Sequence, residues 1–338
     1  MKRWVFDILV CPHCSKSLLA EGEWQRDEMK DGWLSCSYCQ NKWPIISGIP
    51  RFVAQNDDYC GSFGYQWKSF SRTQLDSFSG TNSSEIRFLN ETGWDKSNLH
   101  DSLLLDGGCG AGRFADVALK LGARVIAIDL SAAVDACYEN LNEIGHNPER
   151  YAVVQASIYE LPFSPETFSG VYSLGVIQHT PARRKAVQSL ARLVKNGGEL
   201  ALWVYGKNWK SWLQYKYWLR LFTRFFSLKT NWNLSNFLVE IFFPLAWHVN
   251  KIPLIGGVAV RLFPLAFRCP DSTNRKQSKE WTFLDTFDNL SPKYDNPIRE
   301  SELRSWLSQC GMVSIERRKT LGLAIKSKKT LAVQDLAE

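Results

Sequence analysis

The 338-residue chain has no window of 18 or more apolar residues that is free of charge. Glu240 interrupts the run ending at Trp247, and Arg261 interrupts the run from Ile252 to Phe267. No membrane-spanning helix is therefore expected. Asp7 breaks any apolar leader core, and no small-residue cleavage pattern follows it, so the expected location is the cytoplasm. Cysteine is sparse, nine in the whole chain, whereas secreted disulfide scaffolds are short and cysteine-dense. Charge of one sign is not strongly in excess: 41 basic residues face 34 acidic ones. That balance is compatible with nucleic acid or an anionic membrane surface and requires neither. The hydrophobic fraction of 45% and charged fraction of 22% exclude wholesale disorder and fibrous repeats. The length suits two domains. Aromatics are plentiful, with 14 Trp, 19 Phe and 11 Tyr to be housed.

Four of the cysteines form two pairs, Cys11-x-x-Cys14 and Cys36-x-x-Cys39, 21 residues apart. Each C-x-x-C turn presents two thiolates to one metal, and two turns complete a tetrahedral four-thiolate shell. Zinc in a closed, structural site is the expected occupant, with iron as the other metal. Four reduced buried cysteines or a redox dithiol are the alternatives. The following Trp43–Pro50 stretch reads as a short strand and turn that close the module. The span from Ile8 to Pro50 resembles the zinc ribbon of the methyltransferase-activator family, whose ribbons stand alone as activators of methyltransferases or are fused in front of them.

The second signal is Leu103-Leu104-Leu105-Asp106-Gly107-Gly108-Cys109-Gly110-Ala111-Gly112. An apolar strand runs into a glycine cluster, and Phe114, Val117, Ala118 and Leu121 then follow helical spacing. Arg124–Asp129 reads as the next buried strand, ending in an acidic residue 21 positions after Gly108. An acid at that strand tip can accept hydrogen bonds from ribose hydroxyls. The loop reads Gly108-x-Gly110-x-Gly112. It has neither the G-x-G-x-x-G of a pyrophosphate site nor the Lys-Ser/Thr of a P-loop. Asp106 would repel a phosphate but suits an ammonium group, which points to S-adenosylmethionine. A degenerate dinucleotide site or a structural turn is the alternative. Tyr151–Ser157, Gly170–His179 and Glu199–Tyr205 read as three more strands, with a helix at Arg183–Val194, so the class is α/β.

Together these segments resemble the class I S-adenosylmethionine-dependent methyltransferases, from about residue 99 to 205. The landmarks are Asp106 to Gly112, Asp129, Leu161-Pro162-Phe163 and Leu193-x-x-x-Gly197-Gly198. The resemblance implies a Rossmann-like seven-stranded sheet. It also implies that Asp106, Gly108 and Gly110 hold the methionine part, that Asp129 holds the ribose and that Ser157 and Ile158 lie beside the adenine, with Gly107, Gly112, Leu130 and Leu174 as further cofactor-binding residues. Many relatives carry Asp where Ser157 stands. The expected organisation is a zinc ribbon at 1–53, a linker and cofactor lid at 54–98 (with Gly61–Trp67 as the lid or as a helix on the sheet edge) and a methyltransferase domain at 99–338. Inside that domain a helical insertion is expected at 207–296, since Glu300–Leu307, Gly311–Glu316 and Leu321–Ile325 resume the fold only after about 90 residues.

Insertions on such a scaffold carry specificity. From Lys207 to Lys229 six basic residues and eight aromatics occur with no acid. Lys216, Arg220 and Arg224 share one helical face, and Tyr215, Trp218, Leu219, Phe222 and Phe226 the other. Three readings stay open: a cap with its apolar face on the core and its charges in water, a peripheral membrane contact, or a face that stacks RNA bases. Phe287–Pro297 reads as a fixed Ser-Pro and Asn-Pro loop that either brings Asp288 and Tyr294 near a substrate or is ordinary surface.

Methyl transfer is an in-line displacement that needs alignment above all. His179, after the fourth strand, is the candidate general base, or else a loop cap or cofactor contact. The expected activity is methyl transfer to a small-molecule, lipid- or glycan-linked acceptor. The ribbon-plus-methyltransferase order also resembles bacterial rRNA guanine methyltransferases, which keeps an RNA base acceptor open. A non-catalytic binding module with a vestigial fold is the third reading, resting on Ser157. The chain reads Ile177-Gln178-His179-Thr180 where amino-group DNA methyltransferases carry Asn-Pro-Pro-Tyr.

Overall fold

Runs of apolar residues bounded by Gly or Asp can be buried on both faces only as central parallel strands, and Leu103–Gly107 and Arg124–Asp129 do pair that way. The computed structural model describes residues 1–53, 61–207, 215–267, 270 and 272–331. In chain order it contains α1 (Arg3–Phe6), β1 (Leu19–Gly22), β2 (Gly32–Ser35), β3 (Lys42–Ile46), β4 (Ile49–Phe52), α2 (Gly61–Ser69), α3 (Asp76–Ser79) and α4 (Ser83–Thr92). Next come β5 (Leu103–Gly107), α5 (Arg113–Lys120), β6 (Arg124–Asp129), α6 (Ala133–Ile144), β7 (Tyr151–Ala156), β8 (Phe168–Leu174), α7 (Arg183–Arg192) and β9 (Val194–Val204). The chain continues through α8 (Tyr215–Thr223), α9 (Leu228–Val249), α10 (Gly256–Ala259), α11 (Arg275–Leu290), α12 (Glu300–Gln309), β10 (Met312–Arg318) and β11 (Leu323–Lys329).

The expected seven-stranded sheet is corrected to one of eleven strands, in the order β1-β2-β3-β4-β7-β6-β5-β8-β9-β11-β10. Seven of these form the expected α/β unit, and the other four come from the N-terminal module. The physical reason is the open edge of β7. Unpaired edge groups need a partner, and β4 supplies it in parallel register, with Arg51 opposite Gln155 and Phe52 opposite Ala156. Arg51 clamps the joint by donating to Gln155 Oε1 at 2.8 Å and to Asp135 Oδ1 at 2.6 Å. Leu9, Leu34, Phe52, Val154 and Phe163 share one apolar core across it.

The Gly197-Gly198 step does not end a helix. It lies inside β9, while α7 stops at Arg192. Between β9 and α12 the described residues are helical, and α9 packs on α11 through Leu238, Val239, Phe243, Phe283 and Phe287. The expected lid at Gly61–Trp67 falls in α2; residues 54–60 of the expected linker and 208–214 of the basic run lie outside the described residues.

The expected cap geometry of α8 is inverted. Within α8, Lys216 is buried and Arg220 partly so, while Trp218 and Phe222 are exposed; Tyr215 and Leu219 of the expected aromatic face are half-buried, and Arg224 and Phe226, past the end of the helix, are exposed. Asp295 takes Lys216 at 2.8 Å, and the carbonyls of Asn289, Leu290 and Pro292 accept from Arg220. Those acceptors would be left without a donor if the apolar side packed inward, and burying unpaired acceptors costs more than exposing aromatic surface.

Candidate functional site

β5 delivers Asp106 and Gly107 into the glycine loop. The N–H groups of Gly108 and Cys109 both donate to the Ile128 carbonyl, at 2.9 and 2.8 Å, and fold the loop over the end of β6. Gly108 has φ +102°, and a Cβ there would stand 2.4 Å from Val176 Cγ2. No side chain fits at that position, so the loop backbone lies bare toward the space above it.

That space is a cavity of about 1330 Å³. Of the residues expected at the cofactor, Gly108, Gly110, Asp129, Leu130, Ile158 and Leu174 line it. His179 lines it as well. Asp106, Gly107, Gly112 and Ser157 are not among its lining residues. Ser157 is buried and turned to its own loop, with Oγ accepting from the Tyr159 N–H at 3.3 Å. Gly112, with φ +92°, lies against Cys137 and starts α5.

Two carboxylates stand beneath the loop in different states. Asp129 is held by its neighbours: Gly110 N–H donates to Oδ2 at 3.0 Å, and the Ser131 N–H and Oγ–H donate to Oδ1 at 2.9 and 2.7 Å. Burial raises its carboxyl, and these donors oppose the shift. Asp106 is 2% exposed, and its Oδ2 has no hydrogen-bond partner. Burial pushes the carboxyl up to about 8, with the Tyr172 hydroxyl opposing and the Asp129 charge adding. An orphaned buried carboxylate is expensive unless a positive group joins it. The ammonium of an S-adenosylmethionine-like donor has the charge and hydrogen-bonding capacity to do so, so the residues present fit that group.

His179 sits at the end of the 3-10 turn after β8, 6% exposed, between the rings of Phe63 and Tyr205. Its Nδ1 lies 2.9 Å from the Tyr294 carbonyl oxygen. A carbonyl only accepts, so Nδ1 is the donor in this contact and Nε2 is the ring nitrogen left over. Asp288 also lines the cavity, where burial raises its carboxyl and the nearness of His179 and Lys216 opposes the shift. The Tyr205 hydroxyl lies 3.4 Å from Asp288 Oδ2. The expected loop at Phe287–Pro297 is corrected: Phe287–Leu290 continue α11, so Asp288 reaches the site from the end of that helix and Tyr294 reaches it through its backbone.

Part of the cavity lining was not signalled by the sequence pattern. Arg87, Arg113, Arg318, Trp203 and Trp281 line it. Arg113 is buried and donates to Ser84 Oγ at 2.9 Å and Gln74 Oε1 at 3.0 Å, and no ion pair among the described residues includes it. Burial first, then the Arg87 charge, lowers its guanidinium to about 9. These side chains come from α4, α5, β9, α11 and β10. Only the position of Arg113 directly after Gly112 hinted at any of them. On α2, Phe63, Gln66 and Trp67 line the cavity, and Trp67 Nε1 would stand 2.9 Å from a Cβ on Gly110.

Cys11, Cys14, Cys36 and Cys39 converge separately, with their Sγ atoms all within 4.8 Å of one another. The Cys11–Cys39 and Cys14–Cys36 sulfur distances are 3.4 and 3.5 Å, far beyond a disulfide bond of about 2.05 Å. They approach the edge of about 3.8 Å expected for a tetrahedron of thiolates around zinc. The Asn41 N–H, aided by its Nδ2 at 3.2 Å, lowers the Cys39 thiol below its ordinary value.

Residues 105–202 match the family model described as "Methyltransferase domain". The chain is 30% identical over 124 residues to a ubiquinone biosynthesis O-methyltransferase of Cronobacter sakazakii, covering 34% of this chain and 47% of that protein. It is 33% identical over 108 residues to phosphoethanolamine N-methyltransferase 2 of Caenorhabditis elegans, covering 31% and 24%. The matches span about half the length of these curated relatives or less. Among solved structures, magnesium protoporphyrin IX methyltransferase from Synechocystis PCC 6803 with bound SAH aligns over 81% of this chain and 97% of its own, at 16% identity and a TM-score of 0.45. The segment that is similar to a methyltransferase domain thus runs from β5 to β9.

Proposed function

We propose that this protein transfers the methyl group of S-adenosylmethionine to a small-molecule, lipid- or glycan-linked acceptor. One observation carries the reading: a single cavity is lined by the bare glycine loop and Asp129, by His179 and Asp288, and by Arg87, Arg113, Arg318, Trp203 and Trp281. Asp106 and the backbone of Gly108 and Gly110 would hold the methionine part of the donor. Asp129 and Leu130 would face its ribose, and Ile158 and Leu174 its base. The donor supplies an electrophilic methyl carbon when bound. The protein then aligns the acceptor against it, and His179 Nε2 accepts the acceptor's proton while the Tyr294 carbonyl holds the ring in that tautomer. Phe63 and Trp67 of α2 exclude water above the loop. The names of the relatives, ubiquinone biosynthesis and phosphoethanolamine methyltransferases, favour a small acceptor over RNA. Trp203, Trp281 and Arg113 suit an acceptor that bears a ring and negative charge.

The module at 1–53 we assign as a zinc ribbon held by the four cysteines. In this reading the metal is structural, because four thiolates leave no open coordination position. Elemental analysis of the purified chain tests it: one zinc per chain supports the assignment, iron replaces the metal, and no metal overturns it.

The catalytic reading is tested in two steps. Calorimetric titration of the full chain with S-adenosylhomocysteine should show binding that Asp129→Ala weakens without unfolding the protein. Labelled methyl transfer into cell extract, separated into RNA, protein, organic-soluble and small polar fractions, should place label in the last two. Label in RNA would select the nucleic-acid acceptor, and absence of cofactor binding would select the non-catalytic module.

A further inference from the structure

The outer side of α8 and the segments that follow it expose, among the described residues, an unusual amount of apolar surface. Among the described residues, fourteen of the twenty-three exposed large hydrophobic side chains fall between Trp218 and Leu262. Scattered exposed apolar residues are ordinary, but a concentration of this kind marks an interaction surface. On α8 and the turn after it, Trp218, Phe222 and Phe225 are 62%, 67% and 74% exposed. On α9, Phe237, Ile241 and Leu245 recur at i, i+4 and i+8 and form an open stripe. The opposite side of α9, with Leu238, Val239 and Phe243, is the side packed in the core with α11. Past α9, Leu254 and Leu262 are 102% and 87% exposed.

Charge selects the occupant. From Tyr215 to Leu262, Glu240 is the only acidic residue, and Lys279 neutralises it with contacts of 2.7 and 2.8 Å. Arg224, Lys229, Lys251 and Arg261 are exposed, and no ion pair among the described residues includes them. The Arg224 guanidinium lies 4.6 Å from the Phe225 ring, and Lys251 Nζ lies 4.6 Å from the Trp247 ring. Each cation therefore rides on an apolar base with its charge free, the posture of a side chain reaching from a nonpolar layer to headgroups. A second copy docked on the same face would bring four unpaired cations against four others, whereas a negatively charged bilayer meets both the apolar and the cationic parts. No helix of the described residues is long and apolar enough to cross a membrane.

We propose that the outer face of α8, α9 and the 250–262 segment docks in the plane of a membrane surface containing anionic phospholipid, with Phe222, Phe225, Leu254 and Leu262 inserted and Arg224, Lys229, Lys251 and Arg261 at the headgroups. The assignment does not rest on the methyl-transfer reading, because the surface and the cavity share none of these residues. The test is co-sedimentation of the full chain with vesicles of phosphatidylcholine alone and of phosphatidylcholine with phosphatidylglycerol. The expected result is binding that strongly prefers the anionic vesicles and weakens, without vanishing, as salt is raised. Phe222→Ser with Phe225→Ser, and separately Leu254→Ser with Leu262→Ser, should each weaken binding about tenfold or more. These positions are exposed, so the thermal transition of each variant should stay near that of the parent chain. Arg224→Glu with Lys251→Glu should remove the preference for anionic lipid. Failure of the folded parent chain to bind either vesicle overturns the proposal, as does equal binding by the serine variants. A stable dimer in light scattering that the serine variants dissociate, with no vesicle binding, also overturns it and assigns the face to a second copy.

Discussion

The end of β5 and the first turn of α8 each bury a charged side chain, with opposite outcomes. Lys216, 5% exposed, meets Asp295 at 2.8 Å and stands 3.9 Å over the Tyr205 ring. Arg220 adds a second cation 3.9 Å from the same carboxylate. Burial lowers the Lys216 ammonium, and the Asp295 charge works against that shift. Asp106, 2% exposed, has one oxygen without any partner and is pushed up to about 8. The first charge is answered from within the chain and serves architecture: it ties α8 to the loop whose Tyr294 carbonyl orients His179. The second is left unanswered, which is costly for folding and useful only if a ligand completes it.

The largest expected effect breaks the answered charge. Lys216→Met leaves Asp295 buried with a weaker partner and should cost about 3–5 kcal/mol in denaturant unfolding, while Lys216→Met with Asp295→Leu should recover most of that loss. An unchanged midpoint in the single variant would dissolve the comparison. Next, His179→Gln should lower the methyl-transfer rate about 10²–10⁴-fold while leaving calorimetric binding of S-adenosylhomocysteine nearly unchanged. Loss of both would make His179 a cofactor contact.

Asp106→Asn tests the unanswered charge. Cofactor affinity should fall by about 1.5–3 kcal/mol, with no loss of folding stability at neutral pH. The pH dependence has a definite sign. The folded carboxyl titrates at about 8 against an ordinary value of 3.8, so the folded state holds the extra proton between those values. Stability of the ligand-free protein should therefore fall as pH rises from about 4 to about 8 and level off above. The Asn variant should lack that component of the slope in thermal scans across the same window. The smallest effect sharpens the contrast at the surface: Glu240→Gln breaks the exposed Lys279 pair and should change stability by no more than about 1 kcal/mol.

Several site residues were legible because their geometry is local. A strand, a glycine loop and a second strand bring Gly108, Gly110 and Asp129 together within some twenty residues, and His179 follows the next strand of the same sheet. The four cysteines were legible because a C-x-x-C turn places two sulfurs at one point whatever surrounds it. Trp203, Trp281 and Arg318 were not, since each reaches the cavity from a separate element far along the chain and no periodicity records that meeting. The eleven-stranded sheet was not legible either: each half scans as complete, and nothing local says that β4 will find the open edge of β7.

The amino-acid sequence alone determined the βαβ core, the bare loop and the thiolate cluster, because short-range spacing and steric rules decide those. It also determined that Lys216 and Arg220 share one side of α8 and Trp218 and Phe222 the other. Which face turns inward was decided only in the tertiary structure. Asp295 and the carbonyls of Asn289, Leu290 and Pro292 offered partners that buried cations need, and Trp218 and Phe222 were left outside. A helical period fixes that two sides differ; only the groups that meet them, some seventy residues downstream, fix which side water sees.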